Sequence, residues 1–565
     1  TYYAQYSVEP YYVTLPEAMA FKNALTSSCG FNYETITSLT FSNSAPAGYT
    51  KGSKTITSGI DVYYNTDKAV VLVTKGGNLA PSDSSSLFSS FNSLKEIKFN
   101  GILSTKNVTY MNDMFYSNPL IEELDLSSFE TNNLQSFSEM FEGCYKLKTV
   151  NLSNFILPSD VSDNMFSFCY ELETIYAPKA IGENTSVSLL TGSIWGVEGT
   201  NTTITGITKE VAGKKLVVSG YELTKGWQSQ ITWTAVGALT NGVQSITEIS
   251  FERTAPTGYS NSGKKINNIE IWANGTKVAF VSSKNIVAPT NSSYLFSNSS
   301  STYQLTNLTS ISFNNFDTKM ATDMSHMFSN CSSLTSLDLS TFDTSNVKIM
   351  NDMFTYCSSL TSINLTGKFT TDNVTALQFM FTGCSKLTRI DLSNFETNKV
   401  TNFTGIFSGC GDLAELDLSS FNFSSATNLS SMFNYCSGLT NIKVDWSTIT
   451  NKVKSLDAMF RGCSSLKALD LRTLNTSGVT VFTNMFNGCS SLQDLDLTNF
   501  VISSSSTVTD MLTGATNIVR IIAPNSIGKA ITLPGTYYIN GTGTGVTSIT
   551  TSDAGKIFVK QKETT

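Results

Sequence analysis

A Met-Phe-x-x-Cys-x-x-Leu motif recurs along the chain at a nearly fixed interval. Its cysteines in the second half follow one another in almost equal steps, at Cys331, Cys357, Cys384, Cys410, Cys436, Cys463 and Cys489. Two more copies contain Cys144 and Cys169, and degenerate copies have Asn118 or Ala515 in the cysteine position. A unit of this length cannot bury its apolar side alone, so neighbouring units must stack. The repeat therefore predicts a solenoid, in which each unit is one coil.

Each coil combines two hydrophobic periods. Met350, Met353, Phe354 and Cys357 follow the spacing i, i+3, i+4, i+7, which predicts a short helix. The next apolar residues, as in Ile363-Asn-Leu365, alternate with period two and predict a strand. The predicted fold class is therefore an α/β repeat solenoid, with parallel β-strands and one short helix per coil of about 26 residues.

The chain is also duplicated on a larger scale. Ile36–Phe41 with Ala45-Pro-Ala-Gly-Tyr49 matches Ile246–Phe251 with Ala255-Pro-Thr-Gly-Tyr259, and a hairpin signal follows each copy. We predict two leucine-rich-repeat-like arrays of about four and nine coils, each flanked by small β-rich caps. The predicted boundaries are an N-terminal Tyr-rich arm and short helix at 1–33, an N-cap at 34–94, the short array at 95–182, a C-cap and packed junction at 183–235, an N-cap at 236–307, the long array at 308–528 and a C-cap at 529–565.

The segment that precedes Glu34 has no second copy. Thr14-Leu-Pro-Glu17 reads as a capping box that opens a short helix to about Leu25. The tyrosines before it allow two interpretations: a cap strand packed on the first array, which we favour, or an arm that docks on a neighbouring copy.

Composition narrows the function classes. The formal net charge is −7 and no Lys/Arg run is present, which argues against nucleic-acid binding. The only histidine, His326, lies in a variable position of a coil, so multi-His metal sites and Ser-His-Asp or Cys-His catalysis elsewhere are excluded. No apolar run reaches the ~20 residues that a membrane span needs. We predict no enzymatic activity, no catalytic residue, no cofactor, no metal site and no membrane insertion.

Nine of the ten cysteines share one inward position of the coil. Buried free thiols are favoured there over disulfides or a metal site, because a small, weakly polar side chain suits the position and the second array has an odd number of cysteines. The predicted core ladder consists of Cys144, Cys169, Cys331, Cys357, Cys384, Cys410, Cys436, Cys463 and Cys489.

The residue between the two inward leucines of the strand points outward, and it is most often aspartate. Acids on adjacent strands repel each other, so they must gain local hydrogen bonds, a cation or a basic partner. Local hydrogen bonding is favoured over a ligand-facing stripe or cation binding. The candidate outward-facing stripe is Asp125, Asp338, Asp391, Asp417, Asp470 and Asp496.

Residues 327–348 resemble the BspA-type leucine-rich repeat, in the mycoplasma-type surface-protein subfamily of unknown function. The resemblance covers about 95–175 and 308–525. It implies a secreted or surface-attached solenoid for adhesion or protein recognition, located extracellularly, at the cell surface or on a virion. The partner would be a protein or glycan ligand. The alternative is a structural subunit of a surface layer, appendage or virion fibre, whose partners are copies of itself.

Overall fold

The computed structural model describes residues 11–200, 202–224, 245–297 and 305–561. The chain forms two compact units, Thr1–Glu222 (unit 1) and Leu223–Thr565 (unit 2). Within the described ranges, no helix is both long and apolar enough to cross a membrane. The predicted junction around Trp227 to Trp233 lies outside the described residues. The division into capped arrays at the boundaries given above stays a prediction.

Unit 1 begins with strand β1 (Tyr12–Thr14) and helix α1 (Ala18–Cys29), and short 3-10 turns lie at Tyr33–Thr35 and Lys209–Val211. Its other strands are β2 (Ser38–Ser42), β3 (Thr50–Lys51), β4 (Asp61–Tyr64), β5 (Ala69–Val73), β6 (Gly77–Leu79), β7 (Glu96–Lys98), β8 (Leu103–Ser104), β9 (Glu123–Asp125), β10 (Thr149–Asn151), β11 (Ile156–Leu157), β12 (Ser162–Asp163), β13 (Thr174–Tyr176), β14 (Ala180–Ile181), β15 (Ser186–Ser188), β16 (Ser193–Val197), β17 (Thr203–Ile204), β18 (Gly206–Ile207) and β19 (Lys215–Glu222).

The sheets of unit 1 combine a stacked core with antiparallel ends. Strands β9, β10 and β13 run parallel in register, with Leu124 opposite Val150 and Val150 opposite Ile175. Antiparallel β19 continues this sheet beyond β13, followed by β16 and β17. At the other end a five-stranded sheet has the order β3-β4-β5-β2-β7, and its antiparallel β4–β5 pair confirms the predicted hairpin. Smaller sheets have the orders β1-β6-β8, β11-β14 and β12-β15-β18.

The start of unit 1 corrects one prediction. Helix α1 begins at Ala18 after Glu17 and ends at Cys29, and the following Gly30, with a φ of 76°, forms a left-handed C-cap. Thr14 ends strand β1 and is not the N-cap, so the predicted capping box is wrong. Strand β1 pairs in parallel with β6, which agrees with the cap-strand interpretation for the part of the arm that is described.

Unit 2 contains a 3-10 turn at Trp446–Thr448. Its strands are β20 (Glu248–Glu252), β21 (Ser260–Ile266), β22 (Ile269–Asn274), β23 (Lys277–Val281), β24 (Asn285–Val287), β25 (Ser310–Ser312), β26 (Phe316–Asp317), β27 (Ser336–Asp338), β28 (Ser362–Asn364), β29 (Glu415–Leu418), β30 (Asn441–Val444), β31 (Asp494–Asp496), β32 (Val501–Ile502), β33 (Arg520–Ile522), β34 (Ser526–Ile527), β35 (Ile531–Ile539), β36 (Thr542–Ile549) and β37 (Ile557–Val559).

Unit 2 starts and ends in five-stranded sheets. The first has the order β21-β22-β23-β20-β25 and contains the hairpin predicted at Asn274-Gly275, formed by β22 and β23. The last has the order β31-β33-β37-β35-β36. Between them lie the parallel pairs β27–β28 and β29–β30, and two further parallel pairs, β24–β26 and β32–β34, form beside the main sheets.

The segment that contains the Met-Phe-x-x-Cys motif is not a helix, which corrects the predicted α/β character of the coil. It is a run of tight turns: Thr355 N–H donates to Asp352 C=O and Cys357 N–H donates to Phe354 C=O. Asp352 and Tyr356 have φ values of 57° and 59°, and residues in the equivalent positions of most other coils also have positive φ. Since L-residues rarely adopt this conformation outside turns, a helix cannot continue through these positions.

Alternate residues of the same segment bond to the next coil. The N–H groups of Met350, Asp352, Phe354 and Tyr356 donate to carbonyls of residues 376, 378, 380 and 382 over 2.7–3.0 Å. This ladder is continued by isolated parallel bridges, which link each coil to the next from Asn291 to Thr507. The turn segment therefore provides inter-coil bonding as well as the inward apolar face, and the solenoid is mainly a β structure.

The core is a set of columns formed by equivalent residues. The phenylalanines of successive motifs stack with ring centroids 5.4–6.0 Å apart and planes within 14°, at Phe328, Phe354, Phe381, Phe407, Phe433, Phe460 and Phe486. Such ring pairs contribute about 0.5–1.5 kcal/mol each beyond the area they bury. Each coil is thus stabilised chiefly by its two neighbours.

Two coils of unit 2 interrupt the main sheet. Residues 389–391 and 468–470 occupy the strand position of their coils but form no strand. The steps from Ile363 to Ile390 and from Ile442 to Leu469 are each one residue longer than the steps within the paired strands β27–β28, β29–β30 and β31–β33. The first extra residue falls in the turn at Gly367, which has a φ of 74°. This residue is accommodated before the turn segment, where residues 350–356 still bond to residues 376–382.

Candidate functional site

The outward side of the strands in unit 2 carries two rows of side chains. In the strand Ser336-Leu337-Asp338 the leucine is buried, while the serine and the aspartate are exposed. Because side chains alternate along a strand, every coil adds one residue to each row. The second row contains the predicted aspartate stripe of unit 2, and Asp125 has the same position in β9 of unit 1. All six aspartates are exposed except Asp496, which is half-buried.

Each aspartate of the stripe accepts a hydrogen bond from the backbone N–H two residues later. These bonds measure 2.9–3.1 Å and run from residues 127, 340, 393, 419, 472 and 498 to the aspartates at 125, 338, 391, 417, 470 and 496. This is an Asx turn, which ends the strand and begins the turn that follows it. Asn151 and Asn364 make the same bond in their coils. The recurrence of aspartate in this position is therefore explained in part by the turn that its side chain stabilises.

Neighbouring groups also reduce repulsion along the stripe. Asn364 donates to Asp338 over 3.0 Å, and the Lys443 ammonium lies 2.9 Å from Asp417. Hydrogen bonds from the Ser419 side chain, and then from Lys443, lower the pKa of Asp417 to about 2. The stripe is thus a mixed row of carboxylates, an amide and a cation.

The carboxylate of Asp470 forms an ion pair within its own coil. The Arg472 guanidinium donates through Nε and Nη2, over 3.0 and 2.7 Å, in a bidentate pair. This pairing, with Arg472 as its largest cause, lowers the pKa of Asp470 to about 2. Both charged groups are therefore already partnered, unlike the Arg389 guanidinium at the first sheet interruption.

A shallow groove of about 510 Å³ lies where residues 389–391 leave the sheet. Its floor is formed by Leu337, Ile363 and Ile390, and Ile390 is half-buried. The rim contains Arg389 and Asp391 on the unpaired segment and Asp338 and Asn364 across from it, with Ser336 and Ser362. In the described part of the chain, the Arg389 guanidinium forms no hydrogen bond and no ion pair. The groove thus combines an apolar floor with the unpaired Arg389 guanidinium and the carboxylates of Asp338 and Asp391 at its rim.

The cysteine ladder lies on the opposite, inward side of the coil. All ten cysteines are free and buried. In the nine that form the ladder, the thiol donates to the backbone carbonyl of the motif phenylalanine in the preceding coil, over 3.0–3.6 Å, as from Cys410 to Phe381 and from Cys436 to Phe407. Burial raises the pKa of thiols such as Cys436 to about 12, so they stay protonated and poorly nucleophilic.

Asn118 shows why a donor is favoured in this position. Its side-chain amide donates to the carbonyls of Phe88 and Phe115, and its oxygen accepts from Phe91 N–H. The same carbonyl position is thus satisfied by a different donor. The sequence predicted the inward location, but the thiol bond depends on the tertiary contact between coils.

The sequence interpretation missed a set of exposed aromatic side chains on the turn segments. Tyr356 and Tyr435 have positive φ and are more than half exposed. Each ring covers a glycine in the same position of the next coil: a β-carbon on Gly383 or Gly462 would lie 2.6 Å from the Cδ1 of Tyr356 or Tyr435. The signal in the sequence is a tyrosine followed one coil later by glycine, in the residue before the motif cysteine.

His326 occupies a turn position with a φ of 55°. Its ring stacks on Tyr294 of the preceding coil, with centroids 4.4 Å apart, and Nε2 lies 3.7 Å from the Asp352 carboxylate. The arrangement packs the histidine between coils. Within the described ranges, no group of three or more His, Cys, Asp or Glu side chains could hold a metal ion.

The family model described as "Mycoplasma protein of unknown function, DUF285" matches residues 83–176, 281–365, 361–450 and 442–527, which together exceed half of the chain. The chain belongs to this family. The match confirms the resemblance to the BspA-type leucine-rich repeat of mycoplasma-type surface proteins. A comparison with curated proteins gives no match. Family membership agrees with a non-catalytic repeat protein and names no ligand.

Two solved structures are similar at low sequence identity. A leucine-rich repeat protein from Eubacterium ventriosum ATCC 27560, in a crystal structure at 2.50 Å resolution, is 14% identical over 87% of this chain and 98% of that chain, with a TM-score of 0.25. The TLR13–ssRNA13 complex is 13% identical over 80% of this chain and 77% of that chain, with a TM-score of 0.14. At these TM-scores neither structure bears on the site.

Proposed function

We propose that this protein is a non-enzymatic recognition protein of the cell surface or the extracellular medium, which binds a protein or glycan ligand along the strand face of unit 2. The observation that supports it best is the groove beside residues 389–391. The Arg472 guanidinium is paired with Asp470, whereas that of Arg389 lies unpaired beside an apolar floor. A concave apolar surface with a few convergent polar groups is the usual form of a binding site.

The two rows of outward side chains favour an elongated ligand. An extended peptide or a linear glycan placed between the rows would meet the same kind of position in each coil, at the ~4.8 Å spacing of neighbouring strands. The carboxylates at Asp338 and Asp391 and the guanidinium of Arg389 would fix its register. Exposed peptide groups of residues 389–391, which lack sheet partners, add donors and acceptors for it.

The test uses the full chain against immobilised matrix glycoproteins and a glycan array, followed by Arg389→Glu and the control Arg472→Ala. We expect at least one ligand whose affinity falls roughly tenfold or more with Arg389→Glu, about 1.4 kcal/mol. The control should change affinity by less than twofold, since its guanidinium is already paired. No bound ligand, or equal losses in both variants, would contradict the proposal. Light scattering decides the alternative function: ordered polymers of the pure chain would support a structural subunit.

A further inference from the structure

Unit 1 presents three neighbouring aromatic rings on its surface, which we name the aromatic patch: Tyr145, Phe168 and Tyr170. The Tyr145 and Tyr170 rings stack with centroids 6.0 Å apart and planes within 8°. Phe168 meets Tyr170 edge-on, also at 6.0 Å. Each of the three side chains is about half exposed, at 48%, 50% and 54%.

The coil itself does not need aromatic residues in these positions. Tyr145 and Tyr170 follow the motif cysteine, where the seven cysteine-containing coils of unit 2 have serine or glycine. Phe168 precedes the cysteine, where most coils have glycine, and it has a φ of 60°. Contiguous exposed rings are typical of a surface that another molecule covers.

Four carboxylates, which we name the acidic border, lie on the adjoining turns: Asp113, Glu139, Glu142 and Asp163. Gly143, next to Glu142, donates to the carbonyl of Ser167, next to Phe168, over 3.0 Å, so border and patch adjoin. Among the described residues, none of these carboxylates has a lysine or arginine nitrogen within 4.0 Å. Lys146, which follows Tyr145, lies instead near Glu122.

The acidic carboxylates are close enough to disfavour each other's charge. Burial first, and then Glu139, raises the pKa of Asp113. Burial and the charges of Glu139, Asp113 and Asp163 raise the pKa of Glu142 in the same way. An external cation would relieve this repulsion, because an opposite charge nearby favours the ionised carboxylate.

We propose that the aromatic patch and the acidic border form a docking surface for a basic segment of a partner protein. Arginine or lysine side chains of that segment would lie beside the carboxylates and over the exposed ring faces, where cations are attracted by aromatic rings. Charge complementarity selects this occupant. An uncharged glycan would leave the four carboxylates unneutralised, and a second copy of the chain carries a net charge of −7.

The experiment measures fluorescence anisotropy of a short labelled peptide in which Arg and Ser alternate, added to the full chain, with a Gln-Ser peptide as the uncharged probe. The variant Tyr145→Ser with Tyr170→Ser installs the residue that other coils have, so the fold is retained. We expect this double variant to weaken binding of the Arg-Ser peptide at least tenfold. Glu142→Gln should weaken it about fivefold and reduce its dependence on salt.

Two matched controls separate docking from general attraction to an acidic chain. Glu415→Gln removes one exposed charge from unit 2, and Tyr356→Ser removes one exposed ring there; each should change affinity by less than twofold. The proposal is overturned if Glu415→Gln weakens binding as much as Glu142→Gln, or if the double tyrosine variant binds as the parent does. It is also overturned if the Gln-Ser peptide binds equally well, or if the double variant abolishes self-association seen by light scattering.

Discussion

The packing of Tyr435 on Gly462 gives a quantitative prediction. The β-carbon added in Gly462→Ala should destabilise the folded protein in two ways. Gly462 has a φ of 71°, and alanine in the left-handed region costs about 1 kcal/mol more than glycine. The β-carbon would also lie 2.6 Å from Cδ1 and 3.0 Å from Cε1 of the Tyr435 ring. The ring must move away and lose its contact with the Arg461 guanidinium, 5.4 Å from its centroid, at a further cost of about 1 kcal/mol.

Gly488 is the matched control, since it has the same position one coil later. Its φ is 75°, and the nearest atom to an added β-carbon is the Cα of Gly462 at 3.5 Å, an ordinary contact. Gly488→Ala should therefore cost only about 1 kcal/mol, against about 2 kcal/mol for Gly462→Ala. In the background Tyr435→Asn, which installs the residue found at Asn330, the cost of Gly462→Ala should fall to that of Gly488→Ala.

The assay is equilibrium urea unfolding of the four variants, with hydrogen exchange of amides between residues 430 and 490 to report local stability, because repeat proteins can open one part at a time. Equal costs for Gly462→Ala and Gly488→Ala in the parent chain would refute the ring-overlap argument. So would a cost of Gly462→Ala that Tyr435→Asn leaves unchanged.

Three further predictions concern the core and the charges. Cys410→Ala should destabilise unit 2 by about 1–2 kcal/mol in urea unfolding, because the Phe381 carbonyl loses its thiol donor and a small void forms; an unchanged midpoint would contradict the thiol bond. Lys22 is buried, donates to Ser89 over 2.8 Å, and burial lowers its pKa to about 8. At Lys22 the unfolded chain binds more protons between about pH 8 and 10.5, so this amine makes the stability of unit 1 rise with pH, whereas the buried thiols of Cys29, Cys144 and Cys169, whose pKa is raised, make it fall above about pH 9. Across that window the melting temperature of Lys22→Met should therefore fall more steeply with pH than that of the parent; equal slopes would argue against the buried amine. Asp417 has a pKa lowered to about 2, so its stabilising effect is present above about pH 4 and is lost as the pH falls towards 2. Asp417→Asn should flatten the acid side of the melting-temperature profile relative to the parent, and an identical profile would speak against a role of this carboxylate in folding.

The sequence by itself determined the period of the solenoid, its inward residues and the order of its strands. Contacts in a solenoid are made with the next coil, so the same local pattern recurs in each unit and reports the buried side directly. Leu337 and Ile363 face each other because they hold equivalent positions in neighbouring coils. For the same reason the nine ladder cysteines could be placed in the core without a structure.

The tertiary structure alone decided three other properties. The spacing i, i+3, i+4, i+7 fits a helix, yet it also fits successive tight turns, and the positive φ at Asp352 and Tyr356 selects the turns. The interruption of the sheet at 389–391 depends on the backbone conformation of that coil, because the residues there keep the apolar and polar pattern of the other strands. The packing of Tyr435 over Gly462 depends on the orientation of the tyrosine ring towards the next coil. Spacing in a sequence fixes which residues share a side, whereas backbone conformation and contacts between coils fix what that side can bind.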